Sequence, residues 1–443
     1  MAELIARLLY SERSEIPPPR GASPPPGLRL DPLLGTRPRP GWSGRWHWHQ
    51  REFKVVIDEL GFRTIGHSWS VPGGARIVFL GDSCTFGWGL DPENTFVAGV
   101  EEIVRRRGRP VQLFNAAYAG DSAVVGSYVL RERVLSLKPD VVVLGYSGNN
   151  AFRFATVSDA ERFRFFASRK LLRRSRLVQV VHAWLASRRS QSLPPRSFKA
   201  LRSIPLAERR RVASAAEFEK ALRAMVSLVR GIDSRVVFLL FPRASQVSDR
   251  FGYEDAAAAY LMRPGSPNLD IHMLSYSCLD HASLDDPLET VLARGPEWKP
   301  VFPKNDLPLR RRLTLGARAY AKNDLTTAAR EFRGAVQMAP DSPLALYDLG
   351  ATLLELGRAD EGLRLLTQAD KLACNVFLHY QVILRRLAAE LRVPVVDLVI
   401  RFQAEDAGSM FIDPAHPSSA ARDVIAGALW PVLATAIGPT PKR

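Results

Sequence analysis

Arg76-Ile-Val-Phe-Leu-Gly-Asp-Ser-Cys-Thr-Phe-Gly87 is the stretch on which the fold turns. Ile77 to Leu80 is an unbroken apolar run, the pattern of a short strand buried on both faces. It breaks at Gly81-Asp82-Ser83, where the glycine allows a sharp turn. Ser83 then falls just past the strand's carboxyl end, the edge at which open α/β sheets hold ligands. A hydroxyl placed there is a nucleophile if a histidine reaches it, and a helix N-cap if none does.

The chain has eight histidines, and one stands out, in Phe411-Ile-Asp-Pro-Ala-His-Pro417. Asp413 precedes His416 by three residues on an expected loop, and a helix is expected from Ser418 to Ala436. A carboxylate at that spacing can bond one ring nitrogen and leave the other free to take a serine proton. Read singly, His416 is equally a plain loop residue. Two further strand-like runs follow the first. Val111-Gln-Leu-Phe-Asn-Ala-Ala117 leads into a loop with Gly120, and Asp140-Val-Val-Val-Leu-Gly-Tyr146 leads into Ser147-Gly-Asn-Asn150. Ser83, Gly120 and Asn149 would then lie along one edge of a parallel sheet. The Ser83 and Gly120 amides and the Asn149 side chain are candidate donors to a developing oxyanion.

The order Gly-Asp-Ser, Gly, Gly-x-Asn, Asp-x-x-His resembles that of the SGNH (GDSL-type) hydrolases. The resemblance covers about residues 52–245 and 375–437. It implies a three-layer α/β/α, doubly wound parallel sheet of flavodoxin-like topology. By position, Ser83 resembles the nucleophile, His416 the general base, Asp413 its orienting carboxylate, and Gly120 and Asn149 the oxyanion-hole donors. The Asn115-Ala-Ala-Tyr-Ala-Gly120 loop resembles the family's second block. Asp31-Pro-Leu-Leu-Gly35 and Leu60-Gly-Phe-Arg63 resemble lead-in segments of larger members. One position departs: many members carry Asp after the asparagine of the third block, and this chain has Asn150.

At 443 residues the chain exceeds one ordinary domain, so two units are expected. Cys84, Cys278 and Cys374 are widely spaced and odd in number, which argues against a disulfide framework or structural zinc. No metal or other cofactor is expected. Cys84 is expected to pack inward at a helix start. Residues 1–51 are expected as a disordered tail, because residues 13–42 are rich in Pro, Gly and Arg. No apolar run reaches transmembrane length, and Leu4 to Tyr10 is too short for a secretory h-region. The cytoplasm is therefore the default expectation, with export or envelope association if the N-terminus is incomplete.

The net charge of +16 is concentrated. Between Arg162 and Arg211 there are 15 Lys and Arg against one acid, Glu208. Leu177, Val178, Val181, Trp184 and Leu185 recur there at helical spacing. A cap helix beside the site with a solvated basic face is the favoured reading. Peripheral contact with an anionic membrane or polymer is the rival. No nucleic-acid-binding fold is legible, so no specific nucleic acid is expected.

Residues 309–374 repeat with a shift of 34. Gly316 falls on Gly350, Ala328 on Gly362, Phe332 on Leu366 and Ala335 on Ala369. Small residues thus recur where two helices cross, and large ones where they interlock, which is the tetratricopeptide period. Only two units are evident and three are usually needed, so Val376 to Leu391 is expected to stack on the second as a capping helix. The repeats lie between a strand at 235–241 and a last strand at 393–398, inside the hydrolase, after an irregular stretch at 246–308. Arg243 follows its strand and suits either the site or the surface.

The expected activity is hydrolysis of a carboxylic ester, with acetyl the expected acyl group, through a Ser-His-Asp acyl-enzyme. The substrate would be a small-molecule or carbohydrate ester. The alternatives are an O-acetyltransferase on a carbohydrate or cell-envelope polymer, and a weakly catalytic adaptor whose repeats bind a protein partner.

Overall fold

The computed structural model describes residues 26–31, 34–48, 51–64, 73–146, 148–151, 158–167, 212–247, 307–373, 375–403, 405, 407–413 and 415–438. The basic segment from 168 to 211 and most of the irregular stretch, 248–306, lie outside these residues.

The first strands are β1 (Leu28–Asp31), β2 (Gly35–Pro38), β3 (Ser43–Trp48), β4 (Arg51–Ile57) and β5 (Arg63–Thr64). They overturn the expected disordered tail over its described part. The reason is a period-2 pattern hidden by the Pro and Arg content. In β3, Trp46 is buried while Arg45 and His47 are exposed. Trp46 stacks on Phe86 at 5.9 Å and meets Phe53 edge-on at 6.3 Å. That aromatic burial stabilises strands whose composition alone would not.

The sheet's centre follows: β6 (Ala75–Gly81), α1 (Ser83–Phe86), α2 (Phe96–Arg106), β7 (Val111–Asn115), α3 (Ala123–Val129) and β8 (Val141–Gly145). Next come α4 (Asp159–Ala167), α5 (Ala215–Arg230), β9 (Arg235–Leu240) and α6 (Ala244–Val247). The eight-stranded sheet runs β10-β9-β8-β6-β7-β5-β4-β3, where β10 is Val395–Asp397. Its five strands from β10 to β7 are parallel. Their order is the doubly wound one, reversing at β6. Strands β5, β4 and β3 extend it antiparallel, joined through Arg63 opposite Asn115.

Alternation divides the strand side chains between two layers. Ile77, Phe79, Val141, Val143, Val237 and Leu239 face α2 and the C-terminal helix. Val78, Leu80, Val142, Leu144, Phe238 and Leu240 face α3 and α5. Every side chain of Val141–Leu144 is fully buried.

The repeat helices are α7 (Leu307–Ala321), α8 (Leu325–Met338), α9 (Pro343–Glu355) and α10 (Ala359–Ala373). A Cβ on Gly316 would lie 2.6 Å from the Phe332 ring, and one on Gly350 would lie 2.9 Å from Leu366. The same close crossing therefore recurs in both units. The remaining elements are α11 (Asn375–Leu391), α12 (Leu398–Gln403) and α13 (Ala421–Ile437). Helix α11 is not the expected cap. Its Tyr380, Ile383, Leu384 and Leu387 pack with Phe218, Leu222 and Phe238 on the sheet. The second repeat is closed by the hydrolase itself, because Leu346, Tyr347, Leu354 and Leu366 share a core with Phe241, Ala244 and Phe402.

Candidate active site

Gly81 ends β6, and its backbone does not take a positive φ. Close approach, not the turn, requires glycine here. An added Cβ would lie 2.2 Å from the Gly145 carbonyl oxygen and from Thr85 Oγ1. Thr85 Oγ1 donates to that same carbonyl at 2.7 Å. The chain then enters α1, with fully buried Asp82 as N-cap accepting from the Cys84 amide at 3.0 Å. Ser83 is the first residue of α1 and stays partly accessible. Cys84 turns inward and its thiol donates to the Ala415 carbonyl at 3.3 Å. That bond ties the serine turn to the histidine loop.

His416 and Asp413 arrive on the loop between α12 and α13. Asp413 Oδ1 accepts from the Ala415 amide at 2.7 Å and the His416 amide at 2.8 Å. Its other oxygen lies 2.6 Å from His416 Nδ1. His416 Nε2 lies 2.8 Å from Ser83 Oγ. With Asp413 accepting the Nδ1 proton, Nε2 is left to accept from the serine hydroxyl. Burial pushes the Asp413 carboxyl up. His416 and the two amides outweigh this and hold it below its ordinary value. The carboxylate thus remains charged beside the ring.

Gly120 and Asn149 flank Ser83, because β7 and β8 are the two neighbours of β6. Gly120 has φ +84°, a conformation that favours glycine. Its loop is pinned by the Tyr118 amide donating to the Gly81 carbonyl at 3.2 Å. Asn149 Nδ2 is buried with no hydrogen-bond partner among the described residues. It borders a cavity of about 60 Å³ whose lining also includes Ser83, His416, Tyr146, Phe241 and Arg243. Arg243, which suited either site or surface, is buried on that wall. Gly120 is not part of this lining and lies on the serine's other side.

Asn150, the departure from the family pattern, is fully buried and its Oδ1 accepts from the Ala123 amide at 2.8 Å. It joins the Asn149 loop to the start of α3. Only an acceptor oxygen is needed for that bond, and Asn supplies one as Asp would.

Sequence reasoning missed three supporting side chains. Asn115 Nδ2 donates to the Thr85 carbonyl at 3.1 Å. Arg63 donates to the Phe86 and Gly87 carbonyls at 2.9 and 2.5 Å, and to Leu90. Burial lowers its guanidinium to about 9, against the attraction of Asp91 and Glu93. Arg37 pairs with Asp121 at 2.7 Å. Burial pushes the Asp121 carboxyl up to about 6, outweighing the pull of Arg37. The lead-in phrase ending at Arg63 and the block beginning at Asn115 were signals for two of the three. Nothing in sequence marks Arg37.

Residues 79–273 match the GDSL-like lipase/acylhydrolase family, and residues 319–373 match a tetratricopeptide repeat. The chain thus carries a GDSL-like acylhydrolase domain, a carboxylic ester hydrolase by class, with a tetratricopeptide unit between its last two strands. Among solved structures it is similar to the acetyl xylan esterase AlAXEase, at 13% identity over 81% of this chain and 100% of that one, TM-score 0.36. It is also similar to a lipase/acylhydrolase from Enterococcus faecalis, at 13% identity over 83% and 100%, TM-score 0.35. A third is a catalytic mutant of an acetylxylan esterase from Geobacillus stearothermophilus, at 12% identity over 82% and 95%, TM-score 0.34. No curated protein matches the sequence. Among the described residues no helix is long and apolar enough to cross a membrane.

Proposed function

We propose that the protein hydrolyses a small acyl ester, acetyl first among them, with Ser83 as nucleophile, His416 as general base and Asp413 as its orienting carboxylate. The observation that carries this reading is the unbroken relay from Ser83 Oγ through His416 to Asp413, at 2.8 and 2.6 Å. His416 Nε2 takes the hydroxyl proton as Oγ attacks the ester carbonyl. The same nitrogen then protonates the leaving alcohol, and a water repeats the sequence to release the acid. Negative charge on the carbonyl oxygen is met by the amides of Ser83 and Gly120 and by Asn149 Nδ2. The last is a buried donor without a partner, as a site kept for an arriving oxygen requires. Phe241 and Leu384 on the wall of the cavity beside Ser83 offer an apolar surface to the acyl group.

The test is hydrolysis of an activated acetyl ester by the full chain. Ser83→Ala should abolish turnover, and activity should fall steeply from acetyl to longer acyl esters. Undiminished turnover by Ser83→Ala would sink the assignment. Adding an oligosaccharide acceptor to the same assay separates transfer from hydrolysis by the mass of the product.

A further inference from the structure

The Gly120 loop needs external support. Gly120 has φ +84°, and since glycine takes positive and negative φ about equally readily, its peptide's orientation is set by the ties of the loop around it. Two of its ties come from the sheet's own loops, the Tyr118 amide on Gly81 and the Ala123 amide on Asn150. A third comes from far upstream. Arg37, on β2, donates from Nη1 to Asp121, the residue directly after Gly120. Its guanidinium carbon also lies 4.9 Å from the ring centre of Tyr118, two residues before Gly120. One planar group therefore grips the loop on both sides of the glycine.

This arrangement is costly. Arg37 is only 3% exposed. Its Nε and Nη2 are buried without hydrogen-bond partners among the described residues. A buried charge with unmatched donors disfavours folding, and an apolar side chain there would be cheaper. Breaches of local rules of this kind concentrate at functional sites. Residue 37 also lies outside the segment that matches the hydrolase family, 79–273.

We infer that Arg37 is a positioning residue for ester cleavage. Through Asp121 and Tyr118 it holds the Gly120 peptide so that its N–H faces the carbonyl oxygen as charge develops there. The inference rests on the proposed role of Gly120 as an oxyanion donor. Arg37 itself touches neither substrate nor Ser83. Its effect belongs to the transition state, so it should appear in kcat and not in KM.

The experiment compares the full chain with Arg37→Gln, Arg37→Lys, Asp121→Asn, Tyr118→Leu and the Arg37→Gln/Asp121→Asn double variant. Rates with an activated acetyl ester are normalised to the Ser83 that a fluorophosphonate can label, and melting curves are recorded beside them. A full oxyanion donor is worth about 100- to 1,000-fold. Misplacing one should therefore lower kcat by roughly 10- to 100-fold, with KM within about twofold. Arg37→Lys should recover part of the loss. The double variant should be no slower than the worse single one, because both break the same link. Unchanged kcat per labelled serine in Arg37→Gln, or in Tyr118→Leu and Asp121→Asn should Arg37→Gln not fold, overturns the inference. If Ser83→Ala keeps full turnover, the reading of the whole site fails instead. If Ser83→Ala is dead and the Arg37 variants are unimpaired, only Arg37 is misassigned.

Discussion

Two side chains at the site have no slack. Asp413 satisfies two loop amides and the His416 ring at once. Asp413→Asn can retain the amide bonds through its remaining oxygen but cannot enforce the ring's tautomer. The expected loss in kcat is about 1,000- to 10,000-fold, with a small change in melting temperature. Asn149→Ala removes one buried donor and should cost about 100- to 1,000-fold in kcat with KM little changed. Steady-state kinetics on one acetyl ester checks both. At this scale the sequence was legible where chemistry demands rare residue types in a fixed order, as at Ser83 and His416. It was silent about Arg37, because an arginine's burial depends on partners supplied by a distant loop. The reason for Gly81 was also hidden. It is dictated by the Gly145 carbonyl on the adjoining strand, which no local pattern reveals.

Among the elements, the central parallel strands β6, β8 and β9 announced themselves as continuous apolar runs, since both their faces are buried. Strands β1 to β3 did not, because they are short and rich in Arg and Gly; β2 buries Arg37 and Pro38, and β3 buries Trp46 between exposed Arg45 and His47. Yet β2 delivers Arg37 to the β7–α3 loop, and the pairing has a pH signature. Asp121 is faced by Arg37 from β2, Asp159 and Arg162 from α4, Tyr146 after β8 and Arg133 beyond α3. Between its ordinary value near 3.8 and about 6, the folded carboxyl keeps a proton that the unfolded chain has lost. Raising the pH through that window therefore weakens the fold, by up to about 3 kcal/mol. Asp413 acts oppositely, its contribution being lost as the pH falls below the carboxyl's ordinary value. Denaturant titrations at several pH values should show the decline between pH 4 and 6 in the wild type. Asp121→Asn should flatten it.

At the scale of the whole molecule, the helical pair interrupts the hydrolase domain and shares its core. The 34-residue period identified the pair, but not where its open side would be covered. Helix α11 went to the sheet, and Tyr347 and Leu366 went into the core beside Phe241. Leu366→Ala should therefore destabilise the hydrolase as well as the repeat, by about 2–5 kcal/mol. Thermal inactivation of esterase activity and loss of helical circular dichroism should shift together. An excised segment 307–373 should show little helix, and two separated melting steps in the full chain would contradict a shared core.

Ser83 and His416 are 333 positions apart, with the repeats between them. Translation meets them in that order. At about 5–20 residues per second, roughly 20–70 s pass between the serine's synthesis and the histidine's. During that interval the nascent chain carries the hydroxyl without its base. Under the proposed assignment, a chain released or stalled before residue 416 therefore carries the nucleophile without its base, whatever part of the sheet it has already formed.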